Sequence, residues 1–180
     1  MPTLKGSKTE ANLMAAFAGE SQARTKYQYY ANAARKEGYV QIGELFDETA
    51  HNETQHAKIW FKFLKGGEIP TTKENLKDAA EGERYEWQEM YAEFAKVAKE
   101  EGFTRIAALF EMVGKIEKTH DERYQKLLEN LESGKVFERE CEQVWYCSNC
   151  GHLHYGKSAP EICPVCSHPK AYFEIRAENY

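Results

Sequence analysis

The sequence contains no run of apolar residues approaching the ~20 that a helix needs to cross a bilayer. It also lacks an excess of positive charge, since its formal net charge is -5 at pH 7. Binding to nucleic acid or to an anionic membrane requires a concentrated basic face. The first ten residues lack the hydrophobic segment of a signal peptide. We therefore expect a cytoplasmic protein that binds neither nucleic acid nor membranes.

Cysteines are few and odd in number, so they cannot all be paired in disulfides. Four of the five form two Cys-x-x-Cys units near the C-terminus. In a reducing compartment that arrangement favours metal ligation over disulfides. The fifth, Cys141, is expected to be a free thiol. The length of 180 residues allows one substantial core and one small additional domain.

Helix start and stop signals divide most of the chain into four long helices. Ser7-x-x-Glu10 and Thr71-x-x-Glu74 are typical capping boxes, and glycines stand where helices should end: Gly38, Gly66, Gly67, Gly102 and Gly134. Beyond Gly134 the composition changes to Cys, Gly, Pro and short β-type runs. The sequence thus predicts a mainly α protein, with a four-helix bundle at residues 1–136, a linker at 137–143 and a small β/loop domain at 144–180.

The helical part contains an internal repeat. Four residues recur 64 positions later, namely Gly38, Phe46, Glu53 and His56 as Gly102, Phe110, Glu117 and His120. Glu20 instead recurs 63 positions later, as Glu83. The third helix therefore carries one extra residue between its glutamate and the next turn. A π-type bulge is the expected way to absorb it.

Acidic side chains occupy positions on the apolar stripes where a bundle core is expected. The stripes carry Glu20 on the first helix, Glu53 and His56 on the second, Glu83 and Glu86 on the third, and Glu117 and His120 on the fourth. Unpaired buried carboxylates cost several kcal/mol each or become protonated. No lysine lies on the stripes at these levels, so we expect a bound cation.

One Glu from each of two helices and Glu-x-x-His from each of two others form the ligand set of ferritin-like di-iron and di-manganese proteins. Residues three apart share a helix face, so a glutamate can bridge two metals while its histidine binds one. Carboxylate and imidazole ligands suit iron or manganese. Tyr27 and Tyr85 are candidates to hydrogen-bond the site, although aromatic residues on bundle helices are usually core residues.

The two C-terminal Cys-x-x-Cys units predict a second metal site. Four thiolates, from Cys147, Cys150, Cys163 and Cys166, complete a tetrahedral shell. The spacing does not distinguish a zinc ribbon from a one-iron rubredoxin site. Gly151 allows the backbone after Cys150 to turn amide groups toward sulfur, whereas Ser167 occupies the equivalent place after Cys166.

The order of the two sites, the segment Phe17-Ala18-Gly19-Glu20-Ser21 and the paired Glu-x-x-His units resemble the rubrerythrin family over essentially the whole chain. The resemblance implies a ferritin-like bundle with two irons, followed by a rubredoxin-like domain with one iron, or zinc. It implies a non-haem peroxidase that reduces hydrogen peroxide in oxidative-stress defence. Electrons would come through the rubredoxin-like iron from an NAD(P)H-linked reductase or a rubredoxin.

The resemblance also implies roles for individual residues. Glu53 and Glu117 would bridge the irons, Glu20 and Glu83 would be terminal ligands, and His120 would bind one iron. The other iron would exchange Glu86 for His56 between oxidation states. The main alternative is an iron-handling protein that oxidises Fe(II) for storage and carries a structural zinc ribbon.

The short segment between the second and third helices constrains the assembly. In a ferritin-like bundle these helices run parallel, so their connection must return about 34 Å, whereas six extended residues span about 20 Å. Three solutions remain: a third helix that begins near Lys77, a plain up-down bundle, or a homodimer in which hairpins are exchanged between chains. We favour the domain-swapped homodimer, because it keeps both the Thr71 cap and the family topology.

Overall fold

A computed structural model describes residues 3–179 of the chain. The chain divides into two compact units, Met1–Pro70 and Thr71–Tyr180. No helix in the described part of the chain is both long and apolar enough to cross a membrane.

The N-terminal unit is a hairpin of two long helices. Helix α1 spans Lys8–Lys36 and α2 spans Val40–Leu64, and the two pack against each other along their length. The predicted cap at Ser7 is present, since its side chain accepts a hydrogen bond from the Glu10 backbone N–H. Gly38, with φ +91°, makes the tight turn between the helices. We call this pair of helices the N-terminal hairpin.

The helices of the second unit form a corresponding C-terminal hairpin. Its first arm comprises α3 (Thr72–Tyr85), a π segment (Glu86–Met90) and α4 (Tyr91–Glu100), and it packs against α5 (Thr104–Glu132). The π segment confirms the bulge predicted from the extra residue in the repeat. The complete capping box at Thr71 and Glu74 starts α3 at Thr72. That start excludes a third helix beginning near Lys77.

A three-stranded antiparallel sheet follows the C-terminal hairpin. Its strands are β1 (Glu138–Cys147), β2 (Leu153–Ser158) and β3 (Phe173–Ile175), in the order β2-β1-β3. Trp145 is fully buried in its core, and the indole N–H donates to the Gly156 carbonyl at 3.0 Å. The mainly α architecture with a small β/loop region is therefore confirmed.

The segment expected to be a linker is largely strand. Residues 138–143 belong to β1, which pairs with β2 at Glu138–Ser158 and Gln143–Gly156 with a shift of register between these pairs. The run Glu138-Arg139-Glu140-Cys141-Glu142-Gln143 shows no alternation of apolar and polar residues. Backbone pairing with β2 defines this strand, so hydrophobic periodicity did not indicate it.

Candidate metal centres

Three predicted ligands meet within the N-terminal hairpin. Glu20 on α1 and Glu53 and His56 on α2 each place a ligand atom within 4.8 Å of the others. The Nδ1 atom of His56 lies 2.8 Å from Glu53 Oε2 and 4.0 Å from Glu20 Oε1. The Glu53 side chain is 16% exposed, whereas that of His56 is 50% exposed. The N-terminal hairpin thus holds a Glu-Glu-His group, with the central carboxylate the least exposed.

The C-terminal hairpin contains the matching group. Glu83 on α3 and Glu117 and His120 on α5 also place their ligand atoms within 4.8 Å of one another. The Nδ1 atom of His120 lies 2.7 Å from Glu117 Oε2 and 3.6 Å from Glu83 Oε2. The Glu117 side chain is 14% exposed. Each group has two carboxylates and one imidazole, as the repeat predicts.

The carboxylates of the C-terminal group need a cation. Burial raises the pKa of Glu83, and a hydrogen bond and electrostatic repulsion from Glu117 raise it further. His120 opposes this rise by a smaller amount. Two carboxylates this close repel each other, and a divalent ion bound between them neutralises both charges, so the pair is a good site for such an ion. The donor set therefore fits the iron or manganese predicted from the sequence.

Two predicted site residues lie outside these groups of three. Glu86, the first residue of the π segment, belongs to neither group, although its charge contributes to the raised pKa of Glu83. The Tyr27 ring packs against Tyr30 and Phe46, with centroid distances of 6.1 and 6.0 Å. The hydrogen bond from Tyr27 to the site stays a prediction.

Tyr91 is a site residue that the sequence interpretation missed. Burial raises the pKa of Tyr91, and the charges of Glu86, Glu117 and Glu83 raise it further, so its phenol lies near this carboxylate group. The Tyr91 ring packs on Phe110, as Tyr27 packs on Phe46. The signal was available, because Tyr91 follows Tyr27 by 64 residues.

The four predicted cysteines come together in the C-terminal region. Their sulfur atoms lie within 4.8 Å of one another, with Cys147–Cys166 at 3.8 Å and Cys150–Cys163 at 3.7 Å. A tetrahedral ion with metal–sulfur bonds of about 2.3 Å separates its sulfurs by about 3.8 Å. The four thiols therefore match a four-thiolate metal site. Cys141 is exposed and outside this group, as expected for a free thiol.

Backbone amides support two of the sulfurs. The His168 backbone N–H lowers the pKa of the Cys166 thiol to about 6 despite the opposing effect of burial. The His152 N–H acts likewise on Cys150, but burial and hydrogen bonds with the other cysteines outweigh it and raise that pKa to about 12. A metal would displace the Cys150 proton on binding.

The two cysteine loops adopt the same backbone turn with different residues. Gly151 has φ +80° and Ser167 has φ +59°, so the serine takes the left-handed conformation that glycine adopts without strain. The departure of Ser167 from the glycine pattern therefore leaves the loop geometry unchanged.

Substitutions at Gly151 and Ser167 should differ in their effect on stability. Gly151→Ala should destabilise the cysteine region by about 1 kcal/mol, because it introduces strain at a positive φ. Ser167→Gly should leave stability unchanged or raise it by up to about 1 kcal/mol. Urea unfolding of the iron-loaded protein, followed by loss of the red ferric–thiolate absorption, measures both. Equal destabilisation by the two substitutions would contradict the assigned turn.

Comparison with known proteins agrees with this pair of sites. Residues 11–128 match the family described as Rubrerythrin, and residues 145–174 match the family described as Rubrerythrin, rubredoxin-like domain. Rubrerythrin-1 of Clostridium acetobutylicum is 51% identical, and rubrerythrin of Nitratidesulfovibrio vulgaris is 46% identical, each over 100% of both chains. A solved structure of partially reduced nigerythrin is 33% identical, covers 93% of this chain and 86% of its own, and superposes with a TM-score of 0.35. The chain belongs to the rubrerythrin family, which carries a di-iron centre and a rubredoxin-like iron site.

Proposed function

We propose that this protein is a cytoplasmic peroxidase that reduces hydrogen peroxide to water in oxidative-stress defence. The observation that carries the proposal is the presence of two Glu-Glu-His groups and a four-cysteine site in one chain. When bound, the two irons supply the electrons that cleave the peroxide O–O bond, and two protons complete two molecules of water.

Side chains of both hairpins would bind the two irons. Glu53 and Glu117 would bridge them, which fits their position as the least exposed carboxylates of their groups. Glu20 and Glu83 would be terminal ligands, and His120 would bind one iron. Glu86 and His56 would alternate on the other iron. The half-exposed His56 ring, held by carboxylates of its own hairpin, has room for such movement.

The four-cysteine site would be the point of electron entry. Cys150 is exposed, whereas Cys147 and Cys163 are buried, so one edge of the site faces solvent. A rubredoxin or a separate NAD(P)H-linked reductase could donate electrons at that edge. Iron is required for this role, because zinc has no redox chemistry. Purified protein should therefore be red in the ferric state, whereas a structural zinc ribbon would be colourless.

Anaerobic stopped-flow spectroscopy tests the proposed activity. The fully reduced protein should be oxidised by stoichiometric hydrogen peroxide many times faster than by the same concentration of dissolved oxygen, with water as product. A protein that reacts faster with oxygen and then accumulates ferric mineral from added Fe(II) would instead be the iron-handling alternative.

We infer further that each di-iron site is completed by two chains. Helix α2 ends at Leu64, and the backbone N–H of Gly67 then bonds back to the Lys62 carbonyl at 2.7 Å. The path from Gly67 to the start of α3 at Thr72 can therefore span at most about 18 Å. A ferritin-like topology requires a return of about 30 Å to run α2 and α3 parallel with Glu53 and Glu83 level. With that topology, the connection would be too short for the two hairpins of one chain to pair.

Exposed apolar side chains on both hairpins support the same inference. Ile42 and Leu45 of α2 are 47% and 56% exposed, and their repeat equivalents Ile106 and Leu109 of α5 are 45% and 50% exposed. Large apolar side chains left exposed on one helix face are typical of an interface. A second copy of the chain would supply both the matching apolar face and the missing ligands. We therefore favour a homodimer in which the N-terminal hairpin of one chain pairs with the C-terminal hairpin of the other.

Lengthening the connection tests this arrangement. Inserting about 15 flexible Gly/Ser residues between Gly67 and Thr71 should let the hairpins of one chain close on each other, since such a linker adds roughly 20 Å of typical reach. Light scattering should then show a shift from dimer to monomer with iron retained. The control is the same insertion after Gly134, which leaves the α2–α3 connection unchanged and should leave the dimer intact. An unmodified protein that is monomeric at low micromolar concentration with both irons bound would contradict the exchange and favour the up-down bundle.

A further inference from the structure

Among the residues that the structure describes, Asp121 is the one charged residue that is buried, with an exposed fraction of 3%. It lies on α5 directly after His120 and accepts four hydrogen bonds. Arg84 donates from Nε at 3.4 Å and from Nη2 at 3.3 Å, Trp87 donates from Nε1 at 3.1 Å, and Gln125 donates from Nε2 at 2.5 Å. These donors satisfy a carboxylate whose burial would otherwise cost several kcal/mol.

The donors of Asp121 are next to two predicted metal ligands. Arg84 directly follows Glu83, and Trp87 directly follows Glu86 within the π segment. The Asp121 carboxylate on α5 therefore contacts the first arm of the C-terminal hairpin at two points. One is Arg84, in α3, and the other is Trp87, in the π segment. Lys118, also on α5, places its ammonium 5.6 Å from the centre of the Trp87 ring and further fixes that side chain.

Comparison of the two halves of the internal repeat shows that the hydrogen bonds to Asp121 occur together with the π segment. In the N-terminal hairpin, Ala57 stands at the position of Asp121 and Phe61 at that of Gln125, while Ser21 corresponds to Arg84. Helix α1 is α-helical throughout Lys8–Lys36. The hairpin without the buried carboxylate therefore has no π segment, and the hairpin with it has one.

The hydrogen bonds to Asp121 can offset the unfavourable free energy of the π segment. A π turn is rare, because it is less favourable than α-helix, and it persists where tertiary contacts support it. The Arg84 guanidinium forms an ion pair with the Asp121 carboxylate at 3.3 Å, and hydrogen bonds between charged groups are the stronger ones.

We propose that Asp121 is a positioning residue that anchors Arg84 and Trp87, stabilises the π segment and so fixes the direction of Glu83 and Glu86 toward the metal. This role rests on the proposed assignment of Glu83 and Glu86 as ligands. The π segment shifts every following residue by one position, so its stability decides which helix face Tyr91 occupies relative to Glu83.

Hydrogen exchange of the metal-free protein tests the anchoring without reference to activity. Trp87→Phe removes the N–H donor but keeps an aromatic ring, and Asp121→Asn keeps one acceptor without the charge. Both should raise amide exchange at residues 86–90 by about tenfold, because each variant weakens a hydrogen bond to a charged group that opposes local opening of the π segment. Glu111→Ala, which removes an exposed ion pair with Lys99 in the same hairpin, is the control and should leave that exchange unchanged.

Metal affinity tests the consequence for the ligands. Anaerobic titration with Mn(II) alone should show ~10–100-fold weaker binding to Asp121→Asn and Trp87→Phe than to the unmodified protein or Glu111→Ala. Unchanged exchange at residues 86–90 in both variants would overturn the anchoring role. Raised exchange with unchanged Mn(II) affinity would overturn the positioning role. Neither result depends on peroxidase activity, so failure here and failure of the proposed function are distinguishable.

Discussion

Glu53→Ala should abolish iron binding at the helical centre, because a bridging carboxylate serves both metals and its loss removes a ligand from each. Within its own hairpin the remaining ligands would be Glu20 and the half-exposed His56. Glu117→Ala should have the same effect, since Glu117 occupies the equivalent position 64 residues later. The loss should exceed the ~10–100-fold expected for residues that only support a ligand. Iron analysis after anaerobic reconstitution gives the measurement.

A matched control separates loss of a ligand from loss of charge. Glu122 also lies on α5, close to His120, but it is exposed and pairs with Lys118. Glu122→Ala should keep the full iron content and the reaction with peroxide. All three variants should retain red ferric iron at the cysteine site, which shows that the chains are folded. Two irons bound by Glu53→Ala at normal affinity would show that the proposed ligand assignment is wrong.

Cys150→Ser should separate the peroxide reaction from electron supply. The variant replaces one of four sulfurs, Cys150 Sγ at 3.7 Å from Cys163 Sγ, by a harder oxygen and should disrupt the iron–thiolate site. The helical centre has its own ligands. The chemically reduced variant should therefore still react with hydrogen peroxide in a single turnover, at the rate of the unmodified protein. Steady-state turnover driven by NADH and a reductase should fall to background.

Cys141→Ser is the control for that experiment. Cys141 is an exposed thiol outside the four-cysteine group, so its replacement should change neither the single turnover nor the reductase-driven rate. Full reductase-driven turnover in Cys150→Ser would show that electrons do not enter through the cysteine site. A slowed single turnover would show that the two sites depend on each other.

Local sequence signals predicted the helices, and the grouping of glutamate with histidine within each hairpin, well. The Thr71–Glu74 capping box starts α3 where expected, and the single extra residue in the repeat appears as the π segment. These features follow from backbone hydrogen bonds and side chains a few residues apart. The Glu-x-x-His spacing likewise placed Glu53 with His56 and Glu117 with His120, because residues three apart share a helix face.

Features set by contacts distant in sequence were harder to predict. Residues 138–143 form strand because β2 pairs with their backbone, and their own polar sequence does not indicate it. Asp121 resembles any helical surface aspartate until Arg84 and Trp87, more than 30 residues away, are seen to donate to it. Tyr91 was detectable through the repeat, but its proximity to Glu86 and Glu117 required the structure.

Mixing two inactive chains tests most directly the claim that each di-iron site is built from two chains. Glu53→Ala and Glu117→Ala chains with different tags, co-expressed and purified through both tags, should form heterodimers with one intact site. Such heterodimers should recover roughly half the iron and peroxidase activity, because the intact N-terminal hairpin of one chain meets the intact C-terminal hairpin of the other. The control pair, Glu20→Ala with Glu53→Ala, places both defects in N-terminal hairpins and should recover nothing. No recovery by the Glu53→Ala and Glu117→Ala pair would contradict the account.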